Sequence, residues 1–251
     1  MQTMLADASA PLRHPFCALC EAPASASSPD SARCVRMALR AGMRLFERGA
    51  RTAHLYVVQS GIVKETTASP DGSECAVRLV MRGGVCGLPA LAGRAQPHSA
   101  HVIHPGTACR IPVASLQGWR ARDAEVVDRL FLDWMQAVQD ADCMISVLGH
   151  GAARSRMARL LLMLDQANET SAPLRLRRSD MADLLAITPV SVARLLSDFS
   201  REALFMERDR RVVALDHDRL RQIARTPSGH VGAVRRGRSA RRVHAPDAAE
   251  S

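Results

Sequence analysis

Apolar and polar positions change rhythm along this chain. From about Leu39 to Pro112 the apolar residues come in short β-type runs punctuated by glycine. Examples are His54–Val58, Gly61–Thr66 and Cys75–Met81, with Pro70-Asp71-Gly72 as a turn between the last two. Gly42, Gly49, Gly61, Gly72 and Gly84 stand where such strands would turn. Many short strands at this spacing predict a β-barrel or roll. After Trp119 the strand signals stop, and Asp123–Leu148 reads as one long helix. Val127, Leu130, Trp134, Ala137, Ala141, Met144 and Leu148 recur 3 and 4 residues apart in strict alternation. Such an a/d seam suits two helices paired across a dimer axis. Val126, Phe131, Val138 and Ile145 form a second apolar line that would face the roll. A single buried helix would also be apolar on two sides.

Gly149-His150-Gly151 then breaks the pattern, as a flexible joint would. Residues 152–170 form another amphipathic helix through Met157, Leu160, Leu161 and Leu164. The stretch RSDMADLLAITPVSVARLLS, Arg178–Ser197, reads as two short helices joined by a tight turn. Met181, Leu184, Leu185, Ile187, Val192 and Leu195 fall where two helices crossing steeply bury side chains. Ala182 and Ala186 are small where the backbones approach. Ser179 can cap the first helix. Thr188-Pro189 is a second start signal, a capping hydroxyl followed by a proline whose missing N–H costs nothing at the first helical position. An ordinary helical hairpin would share the buried pattern; a helix-turn-helix would place Pro189, Val190, Ser191 and Arg194 on the outer face, against base edges. Leu204–Glu207 and Arg211–Leu215 are short β runs around Arg208-Asp209-Arg210, suited to a wing.

Charge changes the picture in one direction. A net charge of +9 and a pI near 10.1 suit a polyanionic partner, although Lys64 is the only lysine beside 33 arginines and such a bias also follows from a GC-rich gene. Between Arg154 and Arg225, 14 arginines face 10 acidic residues. Residues 1–33 are rich in Ala, Ser and Pro and read as a flexible arm that carries Cys17 and Cys20. Residues 226–251, with Arg235, Arg236, Arg238, Arg241 and Arg242, read as a disordered basic tail. Neither a signal-peptide pattern nor an apolar run of membrane length is present, which predicts a cytoplasmic protein. Seven cysteines in a reducing compartment are poor material for a structural disulfide framework. No Ser/His/Asp or Cys/His constellation and no phosphate loop is evident. Cys17-x-x-Cys20 lacks the βαβ context of a thiol oxidoreductase, so an enzyme is not expected.

The order of these segments resembles the CRP/FNR family of bacterial transcription regulators from about Leu39 to Ala224. GMRLFERG, HLYVVQSGIVKE, SPDGSE, GLPALAG, CRIPVASL and RSDMADLLAITPVSVARLLSDF carry the likeness. It implies an α+β chain. Its parts would be a cyclic-nucleotide-binding-type roll over 34–122, a dimerisation helix over 123–149 and a winged helix-turn-helix over 150–225. The partners would be a second copy, double-stranded DNA with a two-fold symmetric operator, and RNA polymerase. In cAMP-binding members a Glu holds the ribose and an Arg the cyclic phosphate. Here Val85 and His98 stand at those positions, with Arg94 on the nearby turn, so tight cAMP binding is not expected. The oxygen-sensing FNR branch holds a [4Fe–4S] cluster. Cys109 matches its roll cysteine, Cys17-x-x-Cys20 resembles the start of its arm group, and Cys34 is the next cysteine, farther along than the branch expects. Three inputs stay open: a cluster on Cys17, Cys20, Cys34 and Cys109, a thiol–disulfide switch, or inert cysteines with another effector such as haem or nitric oxide. Cys75, Cys86 and Cys143 read as core residues, although Cys86 lies near the haem thiolate position of some relatives; His98, His101 and His104 read as surface residues. Family recognition helices carry a Glu and a final Arg. Val190 replaces the first, Pro189 stands where CRP has a further Arg, and Arg194 matches the last.

Overall fold

The computed structural model describes residues 34–69, 72, 74–120, 124–167, 177–208 and 211–225. Cys17 and Cys20, Pro70 and Asp71, Asp123, Asp209 and Arg210, and the basic tail lie outside the described residues. Six strands make the roll: β1 (Val35–Leu39), β2 (Arg44–Phe46), β3 (His54–Ala68), β4 (Glu74–Val80), β5 (Val85–Cys86) and β6 (Ser99–Pro112). Hydrogen bonding runs in the order β1-β6-β3-β4, with β2 also on β6 and β5 also on β3.

The runs His54–Val58 and Gly61–Thr66, read as two strands, are one strand of 15 residues. Two glycines explain this. Gly61 takes a positive φ of 87°, and a Cβ there would stand 2.7 Å from the His104 carbonyl oxygen. A Cβ on Gly106 would stand 2.1 Å from the Ser60 oxygen. The β3–β6 register shifts there, so Gly61 marks a bend within paired strands rather than a turn between them. Strand β3 is buried on both faces. Leu55 and Val57 join Val85, Leu88, Cys109, Ile111, Leu116 and Leu130, whereas Tyr56 and Val58 join Phe46, Val80, Cys86, Ala100 and Val102.

Strand β6 leads at Pro112 into α1 (Val113–Arg120), a helix not anticipated from the pattern, and then α2 (Ala124–Cys143). The long helix continues through a π-helical turn, Met144–Leu148, closed where the Gly149 amide donates to the Ile145 oxygen at 3.1 Å. Its two apolar lines are not divided as expected. Leu130 packs into the roll cluster with Ala137 against it, and Met144 and Leu148 are buried in the next core. These four residues of the expected dimer seam therefore serve the protomer. Phe131, Val138 and Ile145, expected against the roll, are 67%, 53% and 62% exposed, alongside Val127 and Trp134. With half-buried Ala141, the outward line runs Val127, Phe131, Trp134, Val138, Ala141, Ile145, again spaced 4 and 3.

The C-terminal part holds α3 (Ala153–Ala167), α4 (Arg178–Leu185), α5 (Pro189–Arg201), the hairpin β7 (Phe205–Arg208) and β8 (Arg211–Leu215), and α6 (His217–Arg225). The last helix was not signalled, because Leu220, Ile223 and Ala224 are too few to mark a period; it packs on α3, where the Arg159 Nε donates to the Ala224 oxygen at 3.0 Å. Met157, Leu160, Leu161, Leu164, Met181, Leu185, Val192 and Phe199 form its core. That core does not end at the Gly149-His150-Gly151 joint: Ile62, Ala76, Leu79 and Ile103 of the roll belong to the same cluster. Among the described residues no helix is long and apolar enough to cross a membrane.

Candidate nucleic-acid interface and its signal input

The first helix of the pair, α4, starts two residues earlier than a Ser179 cap would place it. Arg177 occupies the cap position with extended backbone and no side-chain cap, so Ser179 lies in the first turn, exposed, and is not the cap. The turn passes through Ala186 in the left-handed region, φ 48°, where the Ile187 amide donates to the Ala182 oxygen at 3.1 Å. A non-glycine residue there carries about 1–2 kcal/mol of local strain. Helix α5 then begins as expected. The Thr188 hydroxyl accepts from the Ser191 amide at 3.1 Å and Pro189 takes the first helical position.

Val192 and Phe199 anchor α5 in the core. Its other side is open: Pro189, Val190 and Arg194 are exposed, Val190 by 62%, with Ser191 half-buried and exposed Thr188 beside them. Among the described residues no carboxylate pairs with the Arg194 guanidinium. Arg201, farther along, is engaged by Asp198. Arg154 meets Glu202 at 2.5 Å and lies over the Phe199 ring at 4.9 Å. The open face is thus a short polar and methyl-bearing ridge ending in an available guanidinium.

Inside the roll, Val85 is buried among apolar side chains, and its carbonyl accepts from the Arg78 Nη2 at 2.5 Å. Arg94 is exposed on the turn after the 3-10 segment Leu88–Ala92. Burial, and then Arg78, pull the half-buried His98 imidazole below its ordinary range. Arg78 was not singled out by the sequence pattern, yet it centres a buried network, 3.5 Å from Glu65 and 3.7 Å from Asp140 of α2. Burial raises both carboxyls, against the pull of Arg78. Burial, reinforced by Glu65, holds the Cys86 thiol well above the ordinary thiol range, which makes it a protonated core residue rather than a ready thiolate ligand. His104, read as a surface residue, is buried at 4%; His98 and His101 are half-buried.

Of the four cysteines considered as metal ligands, Cys17 and Cys20 lie outside the described residues. Cys34 is disulfide-bonded. Cys75, Cys86, Cys109 and Cys143 carry thiols. Cys34 packs against the apolar cluster that contains Cys109, which is 1% exposed. The β1–β6 register pairs Arg36 with Cys109, which puts Cys34 on the same face, one diagonal step away. Among the described residues no group of three or more His, Cys, Asp or Glu side chains could hold a metal ion.

Comparison with known proteins agrees with this geometry. Residues 36–123 match the family model of the cyclic nucleotide-binding domain, and residues 155–223 match that of the Crp-like helix-turn-helix domain. The chain belongs to the CRP/FNR family. The fumarate and nitrate reduction regulatory protein of Vibrio cholerae is 25% identical to it over 195 residues, 74% of this chain and 77% of that one. The protein of that name from Escherichia coli is 22% identical over 192 residues, with the same coverage. A CRP-family transcriptional regulator of Thermus thermophilus is similar in structure, with a TM-score of 0.63 at 26% identity, covering 77% of this chain and 98% of that one. FixK2 of Bradyrhizobium japonicum has a TM-score of 0.66 at 21% identity, covering 78% and 99%. This CRP/FNR chain is therefore a DNA-binding transcription regulator, with α4 and α5 as its helix-turn-helix.

Proposed function

We propose that this CRP/FNR regulator acts as a homodimer that reads a two-fold symmetric duplex site with two copies of α5 and is controlled by the redox state of its cysteines. The observation that carries the reading is the open face of α5, where Arg194 stands exposed beyond the Thr188 cap. An arginine there suits a bidentate guanine contact in the major groove, with Ser179, Thr188 and Ser191 near the backbone and Val190 toward a thymine methyl. The outward line on α2 supports pairing with a second copy, because a protomer alone leaves Phe131, Val138 and Ile145 in water. The absence of a ribose acceptor at Val85 and of a phosphate guanidinium at His98 supports a roll that does not hold cAMP tightly.

The Cys34 disulfide favours a thiol–disulfide input, since a bonded sulfur cannot ligate iron. A [4Fe–4S] cluster is the second reading. It is favoured by the same-face placement of Cys34 and Cys109 and by the names of the curated relatives. It requires four thiolates, and the described residues provide two of the four proposed cysteines, one of them oxidised.

Binding to a selected operator at fixed salt, measured on reduced and oxidised protein, tests the input. The expected result is an affinity change of about tenfold that Cys34→Ser abolishes. A redox response that survives Cys34→Ser overturns a role for this cysteine. The absorbance of protein purified without oxygen separates the chemistries. A broad shoulder at about 400 nm with iron and sulfide marks a cluster, a sharp Soret band marks haem, and redox-dependent binding without either marks thiols.

A further inference from the structure

Lys64, the one lysine in this arginine-rich chain, does not serve as a surface charge. It lies in β3 of the roll, 4% exposed, and its ammonium reaches into the helix-turn-helix. The Nζ donates to Asp180 Oδ1 at 2.9 Å and to Asp183 Oδ2 at 2.5 Å. The two carboxylates stand on successive turns of α4, 116 and 119 residues away in the chain. Two carboxylates converging on one buried point suit a compact ammonium with three rotatable donors; a planar guanidinium favours a single carboxylate in its own plane. Burial pulls the Lys64 ammonium down, but the hydrogen bonds it donates to Asp183 and Asp180 prevail and hold it above its ordinary range.

A second contact lies at the start of the same helix. The Arg177 guanidinium sits over Gly42 of the roll, so close that a Cβ there would be 3.2 Å from Nη2. Helix α4 is thus gripped at its first residues and along its side by the roll. The open face of α5 is untouched, with Val190 and Arg194 exposed. The grip sets a direction and covers nothing.

We propose that Lys64 is a positioning residue for DNA binding, which by holding Asp180 and Asp183 fixes the angle at which α4 and α5 leave the roll. Two further consequences favour binding in the held state. The first helix of a helix-turn-helix crosses the DNA backbone, and released carboxylates on it would repel phosphate. Each recognition helix must also meet its groove at a set angle, and the shared apolar core, being non-directional, defines that angle less sharply than two directed ion pairs do. This inference stands apart from the redox input and uses only the DNA-binding role of α5.

The test is operator affinity at fixed salt, well below the melting temperature of each variant, for Lys64→Met, the Asp180→Asn/Asp183→Asn pair, and the swap of Lys64→Asp with Asp183→Lys. Lys64→Met and the Asn pair are each expected to weaken binding about tenfold, and their effects to overlap rather than add when combined. In the Asn pair, which has no carboxylates to release, the slope of affinity against salt should stay that of the wild type, whereas loss of a direct phosphate contact would reduce it by about one unit. The charge swap should recover binding relative to Lys64→Asp alone. Should Lys64→Met not fold, the Asn pair and the swap carry the test. Unchanged affinity in a folded Lys64→Met, tighter binding by the Asn pair, a reduced salt slope in that pair, or no recovery in the swap would each overturn the proposal. If the wild type binds no duplex, it is the DNA-binding role that fails instead.

Discussion

In the proposed reading sequence discrimination rests on Arg194, because its neighbours on the open face of α5 offer so little else. Pro189 has no N–H and no polar side chain, and Val190 presents methyl groups only, so neither can accept a hydrogen bond from a cytosine amine. Arg194→Ala should cost about 1–3 kcal/mol of discrimination at one G·C position in each half-site. An operator altered at that pair should then bind the variant and the wild type almost equally; an undiminished preference in the variant would remove Arg194 from base reading. This site was legible before the structure because its determinants are local. A capping hydroxyl followed by proline admits one helix start, and Thr188-Pro189 takes it. Ser179 was not legible in the same way. A capping residue must lie outside the first turn, and two residues of slippage in the start of α4 turn a plausible cap into an ordinary exposed serine. Lys64 and Arg78 gave no local sign at all, since what makes each important lies far away in the chain, at Asp180 and Asp183 or at Asp140.

At the scale of elements, α2 shows what periodicity can and cannot specify. Both apolar lines are plain in the sequence, but they are equally apolar, and nothing in their spacing says which the roll will claim. The roll decides it: Leu130 fits beside Leu88 and Leu116, and Met144 and Leu148 fit beside Leu79. The line left over is the one available to a second copy. Substitutions on the two lines should therefore separate assembly from stability. Phe131→Glu places like charges across a dimer axis and should yield a folded monomer in sedimentation, with weakened binding to a two-fold operator. Leu130→Ala, at a 9% exposed position, should lower stability by about 2–5 kcal/mol while the dimer persists. The opposite pair of outcomes would restore the original division of the helix. Helices α1 and α6 escaped the pattern for a simpler reason: each is short, and α6 buries one residue fully, Leu220.

For the whole molecule, the question is how a change at the roll could reach α5. The Gly149-His150-Gly151 break suggests two bodies on a loose tether, but the core crosses it. Ile62, Leu79 and Ile103 pack with Met144, Leu148 and the helices of the DNA-binding part. The break itself is tied down, with Arg159 Nη1 donating to the His150 oxygen at 2.9 Å. Shared packing of this kind behaves as one cooperative unit, so a strain applied on the sheet side is felt on the helix side. Leu79→Ala, at 3% exposure in β4, measures that coupling. It should remove about 2–5 kcal/mol and lower amide protection in α3 and α4 as much as in β4, within a single unfolding transition. Loss confined to the strands, with the helices unfolding later and unchanged, would mean that the two parts are independent. Signals from Cys34 and Cys109 would then have to travel through α2 alone. A single transition would instead leave a redox signal on the cysteine face, as proposed, two routes to Arg194: one along α2 through Leu130, and one across the sheet, from β6 through β3, to the core beneath α4.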